Sequence, residues 1–178
     1  MKWAGILLAL IVLGLLAWRL RPAPGLVAGE TAPEFQLMDQ ANQPRQLSEY
    51  RGRWLVLYFY PRDDTPGCTR EACRFRDDIL TLRGINAEVV GISVDTAASH
   101  ARFAAKYKLP FPLLADTQGK VAAAYSALFT LGPLRLARRT TFIVTPSGKI
   151  GRIFKNVDPA HHATEVAQAI KKLQITTP

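Results

Sequence analysis

The chain holds its only two cysteines, Cys68 and Cys73, inside the stretch "YPRDDTPGCTREACRF" of residues 60–75. This stretch begins with proline, acids and glycine and then takes on the composition of a helix, which puts Cys68 at the seam. A cysteine in the first turn of a helix lies near the positive end of the macrodipole and near backbone N–H groups without helical partners. Both favour the thiolate, which is the reactive nucleophile. Pro66 and Gly67 let the backbone turn tightly and approach a small ligand, and Thr65 carries a hydroxyl three residues before the sulfur. The pattern is that of an activated nucleophile beside a site for an anion or a dipole.

Cys73 follows five residues later. In a continuous helix that offset is roughly 140° of rotation and about 7.5 Å of rise. The two Cα atoms are then roughly 8 to 9 Å apart, beyond the ~7 Å reach of a disulfide, so the pair can bond only if the first helical turns unwind. Other readings are weaker. Two inert core cysteines would have apolar neighbours rather than Thr65, Pro66 and Gly67. Zinc would need two more ligands, and only His100, His161 and His162 offer imidazoles; the last two are expected to decorate the start of the final helix. The C-x-x-C spacing of dithiol motifs is missing.

Hydrophobic patterning supplies the elements that must hold this stretch. "WLVLYFY", residues 54–60, is a continuous apolar run ended by Pro61, as in a fully buried central strand. A helix from about Cys68 to Leu82, closed by Gly84, is predicted next. "AEVVGISV" reads as a second buried strand, "TAASHARFAAKYKL" as a helix and "FPLLAD" as a short strand. "TQGKVAAAYSAL" reads as a helix, "RTTFIVT" and "GKIGRIFKN" as strands joined by the turn "PSG", and "PAHHATEVAQAIKKLQ" as a helix opened by proline. A hairpin or a pair of short strands is predicted ahead of them in "FQLMDQANQPRQLSEY". Strands alternating with helices in a chain of this length predict one α/β domain, residues 34–178, with a central mixed sheet flanked by helices.

"WAGILLALIVLGLLAW", residues 3–18, has no charged side chain and lies between Lys2 and Arg19. As a helix it would span roughly 24 Å, and Leu20 with snorkelling arginines extends it towards a ~30 Å hydrocarbon core. Trp3 and Trp18 stand where interfacial aromatics are found. A transmembrane anchor over residues 1–20 is expected in preference to a cleaved signal peptide, because Leu26 to Ala28 make a poor cleavage site. Residues 21–33 read as a proline- and glycine-punctuated linker. The positive charges on the two sides of the run nearly balance, so the domain's side of the membrane, periplasmic or cytoplasmic, stays open. The net charge is +9, but no arginine-rich tract or aromatic-interleaved basic patch appears, so nucleic acid is not an expected partner.

The segment "YFYPRDDTPGCTREACRFRD" resembles the active-site segment of peroxiredoxins, and within them the bacterioferritin comigratory protein or peroxiredoxin Q subfamily. Pro61, Thr65 and Cys68 meet the family's proline, threonine and cysteine spacing, and Cys73 matches the subfamily's second cysteine. The likeness runs from "GETAPEFQL" through "RTTFIVTPSGKI" to the last helix. It implies a thioredoxin-like fold and thiol-based reduction of hydrogen peroxide and organic hydroperoxides, without metal, haem or flavin. Cys68 would be the peroxidatic residue and pass through sulfenic acid. Cys73 would resolve it as an intramolecular disulfide, which thioredoxin or a similar dithiol protein would reduce. A monomer with both cysteines in one subunit is expected.

By the same resemblance Arg139, just before "TTF", is the active-site arginine, and strand alternation sends Arg138 to the opposite face. Pro61 would shield the sulfur, Thr65 would offer its hydroxyl, and the backbone N–H groups of Gly67 and Cys68 would hold the peroxide oxygens. Glu71 would position the arginine. Two features depart from the pattern: the N-terminal anchor, and "SALFTLGPLRLAR", apolar and arginine-rich where many relatives carry a more polar loop. Two alternatives stand beside the peroxidase: a membrane-tethered thiol-disulfide oxidoreductase, which the missing C-x-x-C opposes, and a non-catalytic redox-responsive binding module.

Overall fold

The computed structural model describes residues 25–176. Its centre is a five-stranded sheet in the order β5-β4-β3-β8-β9, built from β3 (Trp54–Phe59), β4 (Ala87–Ser93), β5 (Leu113–Ala115), β8 (Thr140–Val144) and β9 (Ile150–Lys155). β3 pairs parallel with β4 and antiparallel with β8, which makes the sheet mixed. The order follows from connection length. β3 and β4 are joined through α1 (Pro66–Asp77) and α2 (Ile79–Gly84), and β4 and β5 through α3 (Ala97–Tyr107), as parallel neighbours require.

All six residues of β3 are buried, and their alternation feeds two cores. Trp54, Val56 and Tyr58 join Cys68, Phe75, Phe103 and Ile170 beneath α1, α3 and α5 (His162–Thr176). Leu55, Leu57 and Phe59 face Leu47, Tyr125 and Phe142 on the other side. This second core is roofed by the hairpin of β1 (Gln36–Met38) and β2 (Pro44–Gln46) and by α4 (Lys120–Ala124). A continuous apolar run is therefore what the central strand needs, because neither face meets water.

Several predicted elements differ in extent. The helix predicted from Cys68 to Leu82 breaks at Asp78 (φ −91°, ψ 5°), which caps α1 with its N–H on the carbonyls of Arg74 and Arg76. The left-handed turn after α2 falls on Asn86 (φ 57°), not on Gly84. The predicted helix in "TQGKVAAAYSAL" is only the five residues of α4. The segment from Leu128, the last residue of that predicted helix, to Ala137 is a separate hairpin of β6 (Leu128–Leu131) and β7 (Leu134–Ala137). The transmembrane anchor expected at residues 1–20 lies outside the described residues; among those described, no helix is long and apolar enough to cross a membrane. Residues 29–32 pair with the β8–β9 turn through Gly29 N–H to Ile150 O and Ala32 N–H to Gly148 O.

Candidate active site

The chain leaves the central strand at Phe59, turns through Asp64 in the left-handed region (φ 58°), and enters α1 with Thr65 at the N-cap and Pro66 in the first turn. Proline suits that place because its missing N–H would have no helical acceptor. Cys68 is therefore in the first turn, as the composition of the segment predicts, with only 1% of its surface exposed. The Thr65 hydroxyl makes no cap; it donates to the Arg62 carbonyl at 3.0 Å, which leaves its lone pairs for a donor. Pro61 is half-buried where the turn begins. Cys73 is also a free thiol, half-buried, on the same uninterrupted helix.

Arg139 reaches this point by sheet register. Phe59 of β3 is opposite Thr140 of β8, so residue 139 lies one step beyond that pair, at the end of β3 that leads into α1. Its Nη2 donates to Cys68 Sγ at 3.3 Å and its Nη1 to Oε2 of Glu71. A Cβ on Gly67 would stand 3.1 Å from Nη2, so glycine here lets the guanidinium lie close against the helix start. Arg138 goes the other way: it is exposed, with its guanidinium 6.0 Å from the centroid of the Phe129 ring. The two arginines thus part in the two-residue link between β7 and β8 rather than along a strand.

Glu71 is fully buried, and burial pushes its carboxyl up to about 7 against the pull of Arg139. Its second oxygen, Oε1, has no partner. Arg139 is held above its ordinary range: burial works against its charge, but Glu71 and the Cys68 sulfur more than offset this. The result is a guanidinium shared between a carboxylate and a sulfur at the positive end of a helix. Such a site stabilises negative charge on sulfur and on an oxygen bound beside it.

A second cluster escapes sequence reasoning. Asp63 Oδ2 lies 2.9 Å from His100 Nδ1 and accepts from Ser99 Oγ at 2.7 Å, while Tyr60 donates to Asp63 Oδ1 at 2.8 Å. His100 Nε2 faces the Leu114 carbonyl at 3.1 Å. Both ring nitrogens thus face oxygens of neighbouring elements. Burial would raise the Asp63 carboxyl, but hydrogen bonds from His100, Ser99 and Tyr60 hold it below its usual range. The cluster ties the turn before α1 to α3 and β5. His100 is 37 positions from Asp63, and no short motif joins them. Nor does His162 decorate a surface. It is fully buried between Phe75 and Phe154, with Nε2 2.8 Å from Thr141 Oγ1, and burial, with Arg139 adding to it, pushes its imidazole down to about 4. Only His161 is exposed.

The AhpC/TSA family model matches residues 28–153. Chloroplastic peroxiredoxin Q of Sedum lineare is 41% identical over 150 residues, which cover 82% of this chain and 78% of the relative. Peroxiredoxin Bcp of Bacillus subtilis is 35% identical over 149 residues, covering 82% and 95% respectively. The chain belongs to the AhpC/TSA family, in its peroxiredoxin Q and Bcp subfamily. The crystal structure of peroxidoxin BcpB from Mycobacterium tuberculosis superposes on this peroxiredoxin with a TM-score of 0.78 at 35% identity, covering 82% of this chain and 96% of that one. The fold is thioredoxin-like. The peroxiredoxin is a thiol-dependent peroxidase with cysteine-based chemistry, and neither alternative activity is favoured.

Proposed function

We propose that this peroxiredoxin reduces hydrogen peroxide and organic hydroperoxides through Cys68, and that Cys73 closes the cycle within the same subunit. The observation that carries this reading is the contact of Arg139 with Cys68 Sγ at 3.3 Å, at the amino end of α1. The Cys68 thiolate attacks one peroxide oxygen, the O–O bond breaks, and the other oxygen leaves as water or alcohol after taking a proton. The sulfur loses two electrons and becomes sulfenic acid. Backbone N–H groups of Gly67 and Cys68, in the first turn of α1, hold the oxygens while charge moves onto the leaving one, and Arg139 balances that charge. Pro61 and Thr65 wall the approach, and Glu71 holds the other arm of the guanidinium.

Cys73 then displaces water from the sulfenic acid to give a disulfide, which thioredoxin or another dithiol protein reduces by exchange. α1 is unbroken from Pro66 to Asp77, so this step needs the turns between the cysteines to unwind. The chain is a monomer in this scheme. Residues 1–20 tether the domain to a membrane and residues 21–33 link it, as the apolar run and its flanking charges suggest. Peroxide consumption coupled to oxidation of reduced thioredoxin tests the assignment. Cys68→Ser should abolish it, and Cys73→Ser should consume one equivalent of peroxide per chain and stop; activity surviving in the first, or a peroxide-induced intermolecular dimer in wild type, would overturn the scheme.

A further inference from the structure

The β6–β7 hairpin is built with its polarity reversed. Cross-strand pairing sets Phe129 opposite Leu136 and Leu131 opposite Leu134, and alternation puts all four on one face. That face looks outward: Phe129, Leu131 and Leu134 are 37%, 67% and 47% exposed, and Leu136 is half-buried. The inward face is already complete, because Ala137 is 1% exposed and Leu128 packs on the second core. Folding of the domain therefore does not require the outer leucines. A hairpin normally turns its polar residues to water, and a contiguous apolar face on a two-stranded edge marks a contact surface.

Charge and chain path indicate what covers it. Residues 117–157 contain seven lysines and arginines and no aspartate or glutamate, and Arg138 flanks the apolar face with its guanidinium 6.0 Å from the Phe129 ring centroid. A second copy of the same face would bring those cations together, which disfavours self-association. Apolar side chains edged by an arginine suit the boundary between anionic headgroups and acyl chains. The first described residue, Gly25, lies against Ser126, two positions before β6, where an added Cβ would be 3.8 Å from Ser126 Cβ. The chain therefore enters the described domain beside the foot of this hairpin.

We infer that the outer face of the β6–β7 hairpin docks on an anionic lipid surface, with Leu131 and Leu134 entering the interface and Arg138 meeting headgroup phosphates. The inference builds on the proposed tether, which brings the foot of the hairpin to the bilayer, and adds a second contact that fixes the domain's orientation. Because β7 ends two residues before Arg139, docking holds the strand that supplies the active-site arginine at the interface.

The test is hydrogen–deuterium exchange on the full chain reconstituted in phosphatidylcholine vesicles with and without phosphatidylglycerol, compared with the chain in neutral detergent. Amides of residues 128–137 should exchange about tenfold more slowly on the anionic vesicles, and high salt should reverse much of that. A double variant, Leu131→Glu with Leu134→Glu, should lose the protection while keeping wild-type peroxide turnover in detergent. The tether is read separately: vesicle flotation that survives high salt reports residues 1–20, whatever the hairpin does. Protection that is equal in detergent and on both vesicles, protection that appears only with dimer formation, or protection that appears only when an acidic protein is added would each overturn the inference.

Discussion

Replacing Glu71 by glutamine should change how stability depends on pH more than it changes stability itself. In the folded chain burial raises this carboxyl from 4.5 to about 7, and the Arg139 contact only partly counters it. Between these values the folded state holds a proton that the unfolded state has released, so stability falls as pH rises through the window. Each factor of ten in proton affinity is worth about 1.36 kcal/mol, so the full rise corresponds to ~3 kcal/mol. Wild type should carry this contribution at pH 4.5 and have lost most of it above pH 7, and Glu71→Gln should lack the change altogether. Urea titrations of the reduced proteins, followed by circular dichroism from pH 4.5 to 8, measure the gap between the two. The gap should move by ~3 kcal/mol in favour of the variant as pH rises. Two parallel stability curves, or a gap that moves the other way, would mean that Arg139 keeps Glu71 ionised throughout, and the raising of this carboxyl by burial would be refuted.

Two further substitutions test the supports of the site. His100→Gln leaves the Asp63 carboxylate buried without its main partner and should cost roughly 3 kcal/mol by thermal or urea unfolding. Asp63 is held low in the fold, so its contribution is present above pH 3.8 and disappears as pH falls through its folded value; acidification should therefore narrow the gap between this variant and wild type. Gly91→Ala would place a Cβ 2.8 Å from the buried Tyr58 ring and from Leu113, so a loss of about 1–3 kcal/mol is expected, and an unchanged melting temperature would show that the tyrosine has room to shift.

The sheet was largely legible in the residues because its strands obey one rule at a time. β3 and β4 read as unbroken apolar runs since both faces of each are covered. Cys68 and Gly67 could be placed from local spacing because they sit at the seam of the turn and α1, whereas the role of Glu71 and the choice of Arg139 over Arg138 rested on the family resemblance. Asp63 and His100 left no such trace: they meet only because α3 crosses back over the turn that precedes α1. The break at Asp78 was hidden because "DDILTLRG" has helical composition on both sides of it. The β6–β7 hairpin was illegible for the opposite reason to β3: its apolar residues alternate but face outward, so no buried face marks the strands.

That break has a consequence for the redox cycle. If α1 and α2 were one continuous rod, melting its first turns would fray a segment reaching as far as Gly84 and would loosen Ile79 and Leu82 from the core. Asp78 acts as a firebreak. In the proposed cycle the refolding of each round is then confined to the twelve residues of α1, while the neighbouring helix keeps its grip on the sheet. α1 is thereby a small foldon that can open and reclose many times without putting the rest of the domain at risk of unfolding.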